Sequence, residues 1–202
     1  MVNLDNETLR VIHDRHSIRT FLEMPVPAEA VTAVLKAANV APSAHNQQSW
    51  RFIVVEGEKK REMAELINAR ANDFPRSASI LLRMASRSIA GAPTVIAVAN
   101  TGELIEHGKT LFGLESDLSH DFFRTMEIQS SAAAVENLLL AATSLGLAAV
   151  WLGILFLLKD EVLQLLGEPR GEFMAVVPIG YPARMHKGPV KRPLEIIVKK
   201  LA

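Results

Sequence analysis

The chain has 202 residues, 22 Lys+Arg balanced by 22 Asp+Glu, 49% hydrophobic residues and no Cys. That apolar content excludes a disordered chain, and zero net charge argues against a nucleic-acid or anionic-membrane surface, each of which needs a basic excess. Without Cys there is no disulfide scaffold, iron–sulfur cluster or thiol nucleophile, so any redox chemistry must come from a bound cofactor.

Length points to one domain over 1–202. Asn6 to Arg15 carries Leu9, Ile12 and His13 on one side of a short helix. Ile18 to Pro25 reads as extended. Pro27 to Ala38 is a helix opened by proline, with Val31, Val34 and Leu35 at helical spacing. Loop chemistry fills Ala41 to Ser49 (APSAHNQQS), and Arg51 to Glu56 is a strand closed by Gly57. Glu58 to Arg70 and Pro75 to Ser88 read as helices, and Pro93 to Ala99 (PTVIAVA) suits a central strand. Gly102 to Leu118 shows no clear period. A long Ala- and Leu-rich helix, Phe122 to Leu145, ends at Gly146. Ala148 to Leu152 reads as a buried strand, Lys159 to Leu166 as a short helix, and Glu172 to Ile179 and Leu194 to Val198 as closing strands.

The long helix is apolar over most of its circumference, so it needs cover on all sides, and a dimer interface is the natural second partner. Near-zero net charge permits that association. Leu138 to Leu158 is the most apolar stretch, but Thr143, Ser144, Gly146 and Gly153 interrupt it, so it reads as a helix running into a strand rather than a membrane span. The first residues are charged and lack an apolar signal core, so a cytoplasmic protein is expected.

Three stretches could carry chemistry. In Arg15-His16-Ser17-Ile18-Arg19, extended alternation puts Arg15, Ser17 and Arg19 on one side; this is either a solvated basic turn or an anion site. Pro42 to Trp50 gathers hydrogen-bonding side chains beside a Trp, as a helix cap or a ligand loop. Lys187, Lys191 and Arg192 follow Gly180-Tyr181-Pro182 and could meet an anion or line a solvated hairpin. No G-x-G-x-x-G, Walker loop, H-E-x-x-H or G-x-S-x-G occurs, and the six His are scattered, so no metal site is expected.

Taken in order, RHSIR, the P-V-P helix start, APSAHNQQSWRF, APTVI, the long helix ending GLAAVWLGI, and the late IGYPA…KRP resemble the nitroreductase family of FMN-dependent oxidoreductases from about Arg15 to Lys199. The resemblance implies an α+β fold with a mixed β-sheet flanked by helices, a long central helix and a C-terminal strand exchanged in a homodimer. It implies FMN as cofactor, NADH or NADPH as reductant, a small-molecule acceptor, and no nucleic-acid or membrane partner. Arg15 and Ser17, with His16 beside them, would hold the FMN phosphate together with Arg192, preferred over Lys191. Arg19 would reach the pyrimidine edge, and Arg87 would supply a cation near N1/O2. Pro42, Ser43 and Asn46 would approach from the partner subunit, and Gly153 would border the ring near N5. No catalytic side chain is implied.

The same resemblance implies hydride transfer through N5 to nitroaromatic, quinone or similar acceptors, with ping-pong kinetics. Relatives of the fold carry out reductive dehalogenation, enoyl-type reduction or flavin fragmentation, and a non-catalytic FMN-binding protein is a further alternative. Two positions depart from the pattern: Leu152 stands where some members carry an acid, and Ser49 where a Pro usually precedes the Trp. Gly102 to Phe123, with His107, Phe112, His120, Phe122 and Phe123, is the expected substrate lid, or else part of the core.

Overall fold

Every residue of β2 (Thr94–Asn100) is buried, and the fold is organised around that strand. The computed structural model describes residues 5–112, 116–185 and 187–201, the side chains of 111, 112 and 116 aside. β1 (Trp50–Val55) and β4 (Glu172–Gly180) flank β2, and β3 (Ala148–Ala149) pairs with the outer side of β4. All three pairings are antiparallel. The α+β architecture is therefore present, but within the described chain the sheet is antiparallel rather than mixed.

Alternation along β2 builds two cores. Val95, Ala97 and Ala99 face one layer, and Ile96 and Val98 face the other. The first layer holds α3 (Gly57–Arg70), α4 (Arg76–Gly91) and α7 (Lys159–Leu165), through Met63, Ile67, Leu82, Ile89 and Val162. The second holds α2 (Ala28–Asn39) and α6 (Ser116–Ser144), through Val34, Ala38, Val135, Leu138 and Ala142. A sheet covered on both faces needs apolar residues at every position, which is why β2 and β4 read as continuous apolar runs. α1 (Glu7–Asp14) begins at Asn6, whose Oδ1 accepts the Leu9 N–H at 3.1 Å.

Four elements differ from the sequence reading. The stretch without a period contains α5 (Glu103–Phe112). The long helix starts at Ser116, six residues before Phe122; Gly146 then takes the left-handed conformation, φ +73°, that ends it. The strand after it shrinks to Ala148–Ala149, although the Leu152 N–H still donates to the Val176 carbonyl at 2.9 Å. Leu194–Ile197 is one helical turn, α8, and not a strand; residues 187–201 are exposed throughout, so no neighbouring strand offers it hydrogen bonds here. Among the described residues, no helix is long and apolar enough to cross a membrane.

Candidate functional site

The segment after α1 is laid along the sheet by main-chain bonds. The Ile18 N–H donates to the Ala149 carbonyl at 3.2 Å, the Leu22 N–H to Tyr181 at 2.9 Å and the Ala183 N–H to Thr20 at 3.1 Å, with Phe21 bridged to Pro182. Ile18 is buried, while Arg15 and Ser17 are half-buried and Arg19 is exposed. The alternation expected of an extended segment is thus present: the apolar residue turns inward and the arginines do not.

Arg15 and His16 line a hollow of about 940 Å³ with Lys187, Gly188 and Lys191. The Arg15 side chain, 20% exposed, has its Nε 3.7 Å from Glu136 Oε1 on α6, a loose ion pair that an incoming anion can displace. His16 Nδ1 lies 2.8 Å from the Asp14 carbonyl, which can only accept, so Nδ1 carries the hydrogen. A Cβ on Gly188 would stand 3.0 Å from the His16 Cβ; the two walls meet this closely because residue 188 has no side chain. Lys191 lines the hollow and Arg192 does not. Ser17 is not among its lining residues either.

Arg19 opens on a different pocket, of about 210 Å³, whose walls include Leu81, Met84, Trp151 and Gly153. Gly153 is exposed, and a Cβ built on it would meet nothing within 4 Å. The pocket therefore has open space at the point where the resemblance expects a ring. Leu81 and Met84 are three residues apart on α4, Leu81 one turn before the buried Ala85 that also lines the pocket, and both are partly exposed. Their pattern, ILLRM, reads as core in the sequence, so sequence reasoning missed them; two large apolar residues outside the core stripe were the available signal. Arg87, one turn further along α4, is exposed and does not line this pocket.

Pro42, Ser43 and Asn46 belong to a tightly braced loop that lines neither of these pockets. Its 3-10 turn, Ala44–Asn46, has His45 at φ 53° and Asn46 at φ 52°, and Gln48 follows at φ 53°. Three non-glycine residues in the left-handed region need support from their surroundings. The Ala44 N–H donates to Ser130 Oγ at 3.1 Å, the Gln48 N–H to Ser43 Oγ at 3.1 Å, and Trp50 Nε1 to Asn39 Oδ1 at 3.1 Å. Ser43 therefore braces the loop from inside, while Pro42 and Asn46 are exposed.

The expected lid is split between two roles. Phe123 is fully buried, packed edge-on to Phe122 with ring centroids 5.0 Å apart, and belongs to the interior. Phe122, His107 and His120 are exposed; the Phe112 side chain lies outside the described residues. His120 lines a groove of about 900 Å³ with Gln47, Arg51, Gly102 and Lys109. Beneath it, Glu127 on α6 is buried and accepts the Leu104 N–H at 2.8 Å. Burial pushes its carboxyl above the usual range, against the opposing pull of Leu104, Ser49 and Gly102, and the nearby Glu172 adds to the rise.

A family model described as the nitroreductase family matches residues 12–181. The chain is 33% identical over 181 residues to an Archaeoglobus fulgidus protein named "Putative NADH dehydrogenase/NAD(P)H nitroreductase", covering 87% of this chain and 86% of that relative. Among solved structures, a nitroreductase with bound FMN from Desulfitobacterium hafniense aligns with a TM-score of 0.72 at 25% identity, over 98% of this chain and 100% of that one. The NADPH:FMN oxidoreductase of Vibrio harveyi, complexed with NAD+, shares the fold with a TM-score of 0.75 at 20% identity, over 96% of this chain and 77% of that one.

Proposed function

The chain belongs to the nitroreductase family, and on that premise we propose that it is an FMN-dependent NAD(P)H oxidoreductase acting on nitroaromatic, quinone or similar small acceptors. One observation carries the reading: a single extended segment opens on a cationic hollow at Arg15 and on an apolar-walled pocket at Arg19. At about 3.3 Å per residue the two ends lie roughly 13 Å apart, on the order of the length of a flavin mononucleotide.

The residues present suit that group. Arg15, Lys187 and Lys191 bring cations to the hollow, and its walls close because residue 188 is glycine. Arg15, His16 and Ser17 hold the phosphate in this reading, with Lys191 or Arg192 from the late basic run. Leu81, Met84 and Trp151 wall the ring pocket, and Gly153 leaves room in it. Bound FMN would supply hydride exchange at N5. Arg19 orients the pyrimidine edge and stabilises negative charge developing along it, with Arg87 as a second cation. No side chain is needed as nucleophile or general base. One open face serving both reductant and acceptor gives ping-pong kinetics.

The functional unit in this reading is a homodimer. Val190 is 99% exposed, Leu194 67% and Ile196 70%, an apolar arm that a second copy would cover. Pro42, Ser43 and Asn46 would then reach the neighbouring subunit's ring pocket. The test is anaerobic: the purified protein is loaded with FMN and titrated with NADH and with NADPH. Bleaching of the flavin, followed by recovery on adding an acceptor, is the expected result. A protein that takes up no FMN, or whose flavin neither nucleotide bleaches, overturns the proposal.

A further inference from the structure

Three contacts at four-residue intervals lock the start of the α5–α6 hairpin. The Ser131 hydroxyl donates to Asn100 Oδ1, the Leu104 N–H donates to Glu127 Oε1 at 2.8 Å, and the Phe123 ring occupies the space a Cβ on Gly108 would need. Ser131, Glu127 and Phe123 form one stripe along α6, and Leu104 and Gly108 form the facing stripe on α5. The middle contact is unlike the others because its acceptor is ionisable. Glu127 is 1% exposed, and among the described residues no cationic side chain is hydrogen-bonded or ion-paired to it. Its Oε2 is buried without a hydrogen-bond partner, as are Asn100 Nδ2 and Ser119 Oγ. Ser49 Oγ and the Gly102 N–H also face the carboxylate and pull its value down, but burial outweighs them.

We propose that Glu127 is a positioning residue that works as a proton-operated latch: it holds the N-terminus of α5 closed when it carries a proton and loosens it when ionised. The geometry supplies the reason. A buried carboxylate with one unpartnered oxygen and no cation is costly, whereas the neutral acid keeps Oε1 for Leu104 and turns Oε2 into an O–H that Ser49 Oγ can accept. Lifting α5 exposes Glu127 to water and returns it to an ordinary carboxyl. Burial makes the closed form hold its proton to higher pH than the open form does. By linkage, the proton then favours closure, and closure weakens as pH rises from the ordinary carboxyl value to the raised one.

The other charges facing this site do not reverse the sign. Glu172, on β4 opposite Asn100, raises the Glu127 value and is itself ion-paired with Arg124 of α6. Glu103 and His107 of α5 are exposed, and Arg51 of β1 lies 3.6 Å from Glu168. Any effect of the latch on acceptor access rests on the oxidoreductase reading, in which this hairpin is the lid. The latch itself does not.

Amide hydrogen exchange on the intact protein, expressed as protection factors so that intrinsic pH effects cancel, tests it. In the wild type, protection at Leu104 and along the first turn of α5 falls with rising pH, by up to about tenfold per unit between the two carboxyl values, and then levels off. Glu127→Gln keeps the shape and both neutral hydrogen-bonding functions; its α5 protection stays flat with pH and exceeds that of the wild type at neutral pH. Wild-type protection that is flat with pH, or a Glu127→Gln profile that tracks the wild type, overturns the proposal. Because exchange is read on the backbone, a failure of FMN binding leaves this result intact and separately legible.

Discussion

The Ile18 N–H donates to the Ala149 carbonyl at 3.2 Å. That bond seats the Arg15–Arg19 segment beside the strand that runs into Gly153, so residues far apart in the chain share the pocket of Arg19, Trp151 and Gly153. The site is thus built on main-chain geometry, and its side chains can be varied one at a time without dismantling their support.

The phosphate reading is tested first at its cations. Arg15→Ala removes a charge-assisted donor worth about 2 kcal/mol, so FMN dissociation should strengthen roughly thirtyfold by equilibrium dialysis. Lys191→Ala and Arg192→Ala are compared alongside. The hollow favours Lys191, and the family pattern favours Arg192; the larger loss of affinity identifies the ligand. Unchanged flavin content in Arg15→Ala would reject the site.

Gly153→Val separates room for a ligand from stability of the fold. A side chain there meets open space in the chain, so urea unfolding should shift by no more than about 0.5 kcal/mol. The valine fills the pocket mouth, however, and FMN affinity should fall about tenfold or more. Normal flavin affinity in this variant would place the ring elsewhere.

Gly108→Ala probes the opposite situation. Its Cβ would come within 2.2 Å of the Phe123 ring, so α5 must shift off α6 or the ring must move. Overpacking costs about 1–3 kcal/mol, partly offset by the higher helix propensity of Ala, about 1 kcal/mol. A net loss is expected in thermal or urea unfolding. Adding Phe123→Leu should recover part of it, and a strictly additive double variant would contradict the contact.

Glu127 also leaves a mark on global stability. Its raised carboxyl value means the folded state binds a proton more readily than the unfolded chain does. This contribution is fully present below the ordinary carboxyl value and is lost as pH rises through the raised one. Glu127→Gln removes that dependence, so the stability difference between variant and wild type should move in the variant's favour toward neutral pH. A difference constant with pH would show that Glu127 titrates normally.

How far the sequence reaches depends on what sets each element. β2 and β4 were legible because both faces are buried and the apolar runs say so, and β1, with Arg51 and Val54 exposed, as a short apolar run between a polar loop and Gly57. α5 was not. Gly108 sits inside it for the sake of Phe123 on another helix, and that requirement is invisible to any local pattern. Leu194 to Val198 reads as a strand from composition alone, but composition cannot supply the neighbour that a strand needs. At the site, Arg15, Arg19 and Gly153 were legible through an ordered set of short motifs, and the structure brings Arg19 and Gly153 into one pocket. Leu81 and Met84 were hidden because an apolar residue facing a surface pocket looks the same in sequence as one facing the core.

The contact between Gly108 and Phe123 also restricts how the hairpin can move. Sliding α5 along α6 by one turn would bring Leu104 to the buried ring, and it carries the side chain that Gly108 lacks. Toward the N-terminus the next glycine, Gly102, precedes the helix and offers no second notch. Translation that brings Leu104 to the ring is therefore blocked, and the motion left to this end of the helix is a pivot about the Phe123 notch, with the end near Leu104 swinging farther than the notch itself.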